Sequence, residues 1–130
     1  MMRTKILLIS ADTSLSTSLS SCLTQAGYQV IAIARGVGSI QKIHHENPAL
    51  IILDVELPDY SSLAIVRSLR SDHSCPRIPL ILMGVNMREE DALLGWEAGA
   101  DLCLLENFHL QVFIARVRSL LRRSQPLKIL

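Results

Sequence analysis

The sequence has little of what marks several large classes of protein. Aromatic residues make up only 4% of its 130 residues, so a surface on which nucleic-acid bases stack is not expected. Thirteen Lys and Arg against 12 Asp and Glu leave a net charge of only +1, which argues against nucleic-acid binding by this segment as a whole. Because the three cysteines, Cys22, Cys75 and Cys103, are widely spaced, neither a disulfide framework nor a zinc site is predicted.

Long apolar runs are missing as well. Near the N-terminus only residues 6–9 are consecutively apolar, whereas a signal peptide needs a run of about 7–15. The longest uninterrupted apolar stretch covers residues 49–53, far below the ~18 residues that suggest a membrane helix. We therefore expect a cytoplasmic protein without a membrane segment. Apolar residues still make up 49% of the chain, which is enough for the core of one domain.

Short apolar runs recur along the chain, at residues 6–9, 30–33, 50–53, 80–83 and 102–105. They lack strict alternation, which is typical of strands that are buried on both faces of a parallel sheet. Segments with helical spacing of apolar residues follow each run. Five strands that alternate with five helices predict a doubly wound α/β domain, (βα)5, with helices on both faces of one sheet.

The helical segments carry apolar stripes and start signals. Thr13 and Ser14 are the predicted N-caps of the first helix, and Leu93, Trp96 and Ala100 form the predicted stripe of the fourth. The other stripes are Leu15, Leu19, Leu23 and Ala26 in the first helix, Val37, Ile40 and Ile43 in the second, Leu63, Val66 and Leu69 in the third, and Leu110, Phe113, Ile114, Val117 and Leu121 in the fifth.

Asp54 is the strongest single candidate for a functional residue. In open α/β sheets, ligands bind outside the carboxyl ends of the strands, and Asp54 directly follows the apolar run 50–53. The carboxylate is either part of such a site or a strand-end aspartate that caps the next loop. Spacing alone does not choose between these two interpretations.

Three segments resemble the receiver domains of response regulators. Residues 47–58 (NPALIILDVELP) resemble the phosphoacceptor segment, residues 97–101 (EAGAD) the stretch before the fifth strand, and residues 113–123 (FIARVRSLLRR) the last helix of the OmpR/PhoB winged-helix subfamily. The resemblance implies a CheY-like (flavodoxin-like) fold with strand order 2-1-3-4-5 over residues 1–123. Residues 124–130 are then expected to begin a linker to a C-terminal DNA-binding domain.

The resemblance also implies a pocket in which an aspartate takes a phosphoryl group from a histidine kinase with the help of Mg²⁺. Asp54 matches the phosphoacceptor, but the rest of the pocket departs from the pattern. The acidic pair falls on Ser10 and Ala11, with Asp12 one position further; the hydroxyl residue falls on Gly84, the lysine on Glu106, the next proline on Asn107 and the switch aromatic on Cys103. Because phosphoryl transfer depends on positioning and on cations, we predict a vestigial Asp54, weak or absent Mg²⁺ binding and no enzymatic activity.

A dimer face made of the fourth helix, the fifth strand and the fifth helix is a further implication. Of the charge pairs of this face, one falls on Ala92 and Val112, one on Leu102 and Arg116, and one on Glu97 and Arg118. Only the last pair keeps both charges. Surface ion pairs stabilise little but influence partner choice. The apolar replacements either let two copies of the face pack against each other or are surface substitutions without a functional consequence.

These observations predict an atypical receiver domain of a transcriptional response regulator. It is expected to act through protein partners and homodimerisation without aspartyl phosphate, and to reach DNA only through the missing C-terminal domain. Two alternatives stay open: a working phosphoacceptor with an unusual metal site made of Asp54 and Asp12, and a stand-alone adaptor.

Overall fold

Strands and helices alternate along the whole chain. The structure, a computed structural model, describes residues 3–74, 76–105 and 109–123. The strands are β1 (Lys5–Ile9), β2 (Gln29–Ile33), β3 (Leu50–Asp54), β4 (Leu80–Met83) and β5 (Leu102–Leu104). The helices are α1 (Thr13–Gln25), α2 (Ser39–Glu46), α3 (Ser62–Ser71), α4 (Glu89–Ala98) and α5 (Leu110–Arg123).

All five strands are parallel and lie in the order β2-β1-β3-β4-β5. The register pairs Ile9 with Leu53 and Asp54 with Met83, so the ends of the central strands reach the same edge of the sheet. The predicted (βα)5 fold and its strand order 2-1-3-4-5 are confirmed. Asp54 consequently lies at the carboxyl edge of a central, fully buried strand.

The two faces of the sheet carry separate apolar cores. Leu7, Ile51 and Leu53 point into the core with α2, α3 and α4, whereas Leu8 and Ile52 point into the core with α1 and α5. Because successive residues of a strand point to opposite faces, both faces need apolar residues. This explains why the strand sequences do not alternate between apolar and polar residues.

The N-cap of α1 differs from the prediction. Asp12, not Thr13 or Ser14, precedes the helix in an extended conformation, and its carboxylate accepts a hydrogen bond from the backbone N–H of Leu15 at 3.0 Å. Thr13 already belongs to the helix. A carboxylate at this position also interacts favourably with the helix dipole.

The predicted apolar stripe of α4 is wrong for its two large residues, whereas its third member, Ala100, is buried just after the helix. Leu93 and Trp96 are 56% and 54% exposed, and the buried residues of the helix are Ala92 and Gly95. Only small residues fit between α4 and the sheet, because a Cβ added to Gly95 would lie 2.6 Å from Leu82 Cδ2. Two smaller errors are of the same kind: Val37 precedes α2 and is exposed, and Leu110 is exposed at the start of α5.

Among the described residues, no helix combines the length and the apolar character that crossing a bilayer requires.

Candidate functional site

The Asp54 carboxylate already has protein partners on both oxygens. Ser10 Oγ donates a hydrogen bond to Oδ2 at 2.7 Å, and the backbone N–H of Glu56 donates to Oδ1 at 2.9 Å. Ser62 Oγ donates to the backbone carbonyl of Asp54 at 2.5 Å. With 3% of its surface exposed, Asp54 joins the loop after β1 to the loop and helix after β3.

The surroundings of Asp54 disfavour its charged form. Burial raises the pKa of this carboxyl above its ordinary value of 3.8, and the negative charges of Glu56 and Asp12 act in the same direction. The hydrogen bonds from the Glu56 amide and the Ser10 hydroxyl oppose this shift. The negatively charged phosphoryl group of a donor would therefore be repelled by the carboxylates near Asp54.

The loop after β1 does not present a pair of carboxylates. Ser10 is buried, and its Oγ both donates to Asp54 and accepts from the N–H of Asp12 at 3.1 Å. Ala11 is exposed and contributes no ligand. The carboxylate of Asp12 is engaged as the N-cap of α1. The only acid in this loop is thus used by the helix.

Gly84 marks the other wall of the pocket, directly after β4. A Cβ at this position would lie 2.7 Å from Val55 Cγ1 and 3.1 Å from Asp54 Oδ1. The N–H of Val55 donates to the carbonyl of Met83 at 2.6 Å, which fixes Val55 beside β4. Val55 therefore fills the space that a hydroxyl side chain at position 84 would need.

This donor set fits a magnesium ion poorly. Mg²⁺ prefers six oxygen ligands in octahedral geometry, with carboxylates among them, whereas Ser10 offers a neutral hydroxyl that is engaged with Asp54. Within residues 3–74, 76–105 and 109–123, no three His, Cys, Asp or Glu side chains are grouped so that they could hold a metal ion. The predicted pocket residues Glu106 and Asn107 lie outside the described residues, as do Cys75 and the linker at 124–130.

Asp59 is a structural residue that the sequence did not reveal. Its two carboxylate oxygens accept hydrogen bonds from the successive N–H groups of Gly36 and Val37, each at 3.0 Å. These bonds lower the pKa of Asp59 and tie the loop after β2 to the loop after β3. Gly36 permits this contact, since a Cβ there would lie 2.6 Å from Tyr60 Cβ. The N-cap of α3 is Ser61, whose Oγ accepts from the N–H of Ala64.

A second candidate site is the surface of α4, β5 and α5. Asp91 lines a groove together with Leu63 of α3. By helical spacing, Leu93 and Trp96 lie on the opposite flank of α4 and face away from α3. Several large apolar side chains of this surface are more than a third exposed, and we call them the apolar face: Leu93, Trp96, Leu105 and Val112.

The residues predicted to form the dimer face differ in their exposure to solvent. Val112, Glu97, Arg116 and Arg118 are exposed, and Leu102 is partly buried. The prediction that Ala92 belongs to an exposed face is wrong, because Ala92 is 4% exposed and faces the core. Small residues at this contact let α4 approach the sheet closely.

Cys103, predicted as part of the Asp54 pocket, lies instead beneath α4. Its Sγ approaches the carbonyl of Ala92 at 3.5 Å. Burial raises the pKa of this thiol to about 11, so it is protonated at neutral pH. Cys103 therefore belongs to the packing of α4 rather than to the pocket.

The charges at the ends of the two helices are opposite. The first turn of α4 carries Glu89, Glu90 and Asp91, whereas the last turn of α5 carries Arg122 and Arg123. This arrangement suits each helix dipole. It also gives the surface around the apolar face an acidic side and a basic side.

Comparison with known proteins identifies the class. The family model for the response regulator receiver domain matches residues 6–118, and the chain belongs to this family. The chain is 36% identical over 120 residues to the transcriptional regulatory protein GltR of Pseudomonas aeruginosa, covering 92% of the chain and 50% of GltR. It is 34% identical over 124 residues to the alkaline phosphatase synthesis transcriptional regulatory protein PhoP of Bacillus subtilis, covering 95% and 51%. The chain thus spans about half the length of the curated relatives it matches.

Solved structures agree with this assignment. The BeF3-activated N-terminal receiver domain of Klebsiella pneumoniae RstA superposes with a TM-score of 0.84 at 27% identity, covering 91% of this chain and 98% of that one. The BeF3-activated receiver domain of DrrB superposes with a TM-score of 0.81 at 30% identity, covering 94% and 100%. The predicted receiver domain is therefore confirmed, and the relatives GltR and PhoP are transcriptional regulatory proteins.

Proposed function

We propose that this chain is the receiver domain of an OmpR/PhoB-type transcriptional regulator that acts through protein contacts without aspartyl phosphate. One observation carries the proposal: both carboxylate oxygens of Asp54 are engaged by Ser10 and Glu56, and Val55 fills the space beside Gly84. The carboxylate functions as a buried link between loops.

The electrostatics support the same conclusion. Loss of one group that stabilises a transition-state charge costs about 3–4 kcal/mol, and here the acidic pair and the hydroxyl residue are both replaced. Weak or absent Mg²⁺ binding follows, since the metal would compete for oxygens that already accept hydrogen bonds. The phosphoacceptor alternative, with Asp54 and Asp12 as metal ligands, would require Asp12 to give up its position as the N-cap of α1.

The output of the domain is a homodimer formed through α4, β5 and α5. The apolar face supplies area for burial, and the acidic start of α4 with the basic end of α5 supplies charge complementarity between two copies. DNA is then bound in the cytoplasm by a C-terminal domain that follows the linker at residues 124–130. A narrower prediction from the sequence is the atypical non-bleaching stress regulator of phototrophic bacteria, and a stand-alone adaptor is the outcome if no DNA-binding domain follows.

A phosphoryl-donor assay tests this proposal. The chain is incubated with acetyl phosphate and Mg²⁺ and its intact mass is measured, with a receiver domain that has the complete acidic pair as positive control. We expect no phosphoryl adduct and an unchanged association state. A stoichiometric, Mg²⁺-dependent adduct that is lost in Asp54→Asn would contradict the proposal.

A further inference from the structure

Helix α4 carries its large apolar residues on the outside and its small residues on the inside. Leu93 and Trp96 are more than half exposed, while the residues that face the core are Ala92 and Gly95. Surface helices normally have the opposite distribution, with the apolar stripe facing the core. The stability of the isolated domain therefore does not explain the large residues of this helix.

The contact beneath α4 is very close. A Cβ added to Gly95 would lie 2.6 Å from Leu82 Cδ2 of β4 and 3.0 Å from Cys103 Sγ of β5. Cys103 is 8% exposed, and its Sγ reaches the backbone of α4 at 3.5 Å. We call Leu82, Gly95 and Cys103 the α4–sheet contact. It leaves no room for a larger side chain at Gly95 without movement of the helix or of its neighbours.

The start of α4 is capped within the helix itself, and its end is held by another element. Asp91 Oδ2 accepts from the N–H of Arg88 at 3.0 Å at the start of the helix. At its end, Arg70 Nε donates to the carbonyl of Gly99 at 2.9 Å, and Arg70 Nη2 donates to Asp101 Oδ2 at 2.9 Å. The helix is thus held against the rest of the domain at its middle and its end by groups of the unmodified protein.

We propose that Gly95 and Cys103 are positioning residues that set the depth of α4 on the sheet and thereby present Leu93 and Trp96 to a second copy of this chain without any ligand or modification. The inference rests on the proposed dimerisation through α4, β5 and α5. It adds that the apolar face is preformed, and that small residues on β5 and α4 determine its height above the sheet.

Adding one methyl group tests the inference. The protein contains a single tryptophan, and Trp96 lies on α4, so its fluorescence reports the position of the helix. In Gly95→Ala we expect a shifted Trp96 emission and a homodimer dissociation constant about tenfold higher by analytical ultracentrifugation, the size of effect typical of interface residues. Cys103→Met adds bulk from the sheet side and is expected to act in the same direction.

A size swap separates helix position from other effects. Leu82→Ala removes the side chain that a Cβ at position 95 would meet, so Leu82→Ala/Gly95→Ala is expected to recover most of the dimer affinity lost in Gly95→Ala. Alanine is a better helix former than glycine. A glycine without a positioning role would therefore give a more stable Gly95→Ala protein with unchanged association, and that result would overturn the inference.

The two proposals fail in different ways. A wild-type chain that stays monomeric at high concentration contradicts the proposed dimerisation. Trp96 emission in the monomer still tests the positioning role: unchanged emission in both Gly95→Ala and Cys103→Met would overturn it. If one variant does not fold, as judged by circular dichroism, the other variant and the size swap decide.

Discussion

Two regions of the molecule differ in how far the protein itself provides partners for their side chains. One is the edge of the sheet around Asp54, and the other is the apolar face of α4, β5 and α5. Around Asp54, a buried carboxylate has a donor for each oxygen, and Val55 closes the neighbouring space. On the apolar face, Leu93 and Trp96 are more than half exposed. The polar groups of the first region have their partners within the chain, whereas the second region leaves large apolar side chains exposed.

The two regions have different energetic consequences. A buried polar group without a partner is costly, so the Asp54 network stabilises the fold as long as every member is present. Adjacent exposed apolar residues instead mark surfaces that bind other molecules. Under the proposed function, the pocket around Asp54 is a structural link and the exposed apolar face is the surface that binds a second copy.

Ser10→Ala is expected to have the largest effect, because it removes the donor to a buried carboxylate and the acceptor of the Asp12 amide. We expect a loss of about 2–3 kcal/mol in the free energy of unfolding, as for hydrogen bonds to charged groups. Urea denaturation measures it. Ser71→Ala removes an exposed hydroxyl and is the matched control. Equal stability of the two variants would show that Asp54 is not a structural link.

Trp96→Ala tests the other region. We expect the homodimer to weaken by about 2 kcal/mol, or about thirtyfold in dissociation constant, as for aromatic interface residues, with little change in monomer stability. Sedimentation equilibrium measures the affinity. Leu94→Ala is the control, since Leu94 is also exposed but lies on the flank of α4 towards α3. A stronger effect of Leu94→Ala would place the interface elsewhere.

Gly84→Ser tests whether the pocket can accommodate a hydroxyl side chain after β4. Its Cβ would contact Val55 at 2.7 Å, so we expect a loss of about 1–2 kcal/mol in unfolding free energy from overpacking. Val55→Ala/Gly84→Ser is expected to recover part of that loss, because the obstructing methyl group is gone. Thermal denaturation compares the two. A Gly84→Ser protein as stable as wild type would mean that Val55 moves aside readily.

The pH dependence of Asp54 is the smallest expected effect. Its pKa in the folded state is raised above the ordinary 3.8, so the folded protein binds this proton more tightly than the unfolded chain does. The contribution of Asp54 to stability therefore falls as the pH rises from about 3.8 through the folded pKa and is constant above it. The difference in unfolding free energy between wild type and Asp54→Asn, measured from pH 3.5 to 8, is expected to show this slope. The prediction is contradicted if the wild type becomes more stable relative to Asp54→Asn as the pH rises.

Much of the architecture was predictable because it depends on local pattern. The five apolar runs became the five strands, and Asp54 lies where its place after the third run put it. The positions of Asp59 and Gly95 were not predictable. Asp59 pairs with amides more than twenty residues away, and the contact of Gly95 depends on side chains from two strands.

Apolar periodicity in the sequence by itself determined that five strands alternate with five helices. The strand order, the class of protein and the replacement of the acidic pair by Ser10 and Ala11 followed from the resemblance of its motifs to receiver domains. Only the tertiary structure decided that α4 turns Leu93 and Trp96 outwards. The physical reason is packing: which side of a helix is buried depends on the space left by the sheet beneath it, and beneath α4 that space admits only small side chains.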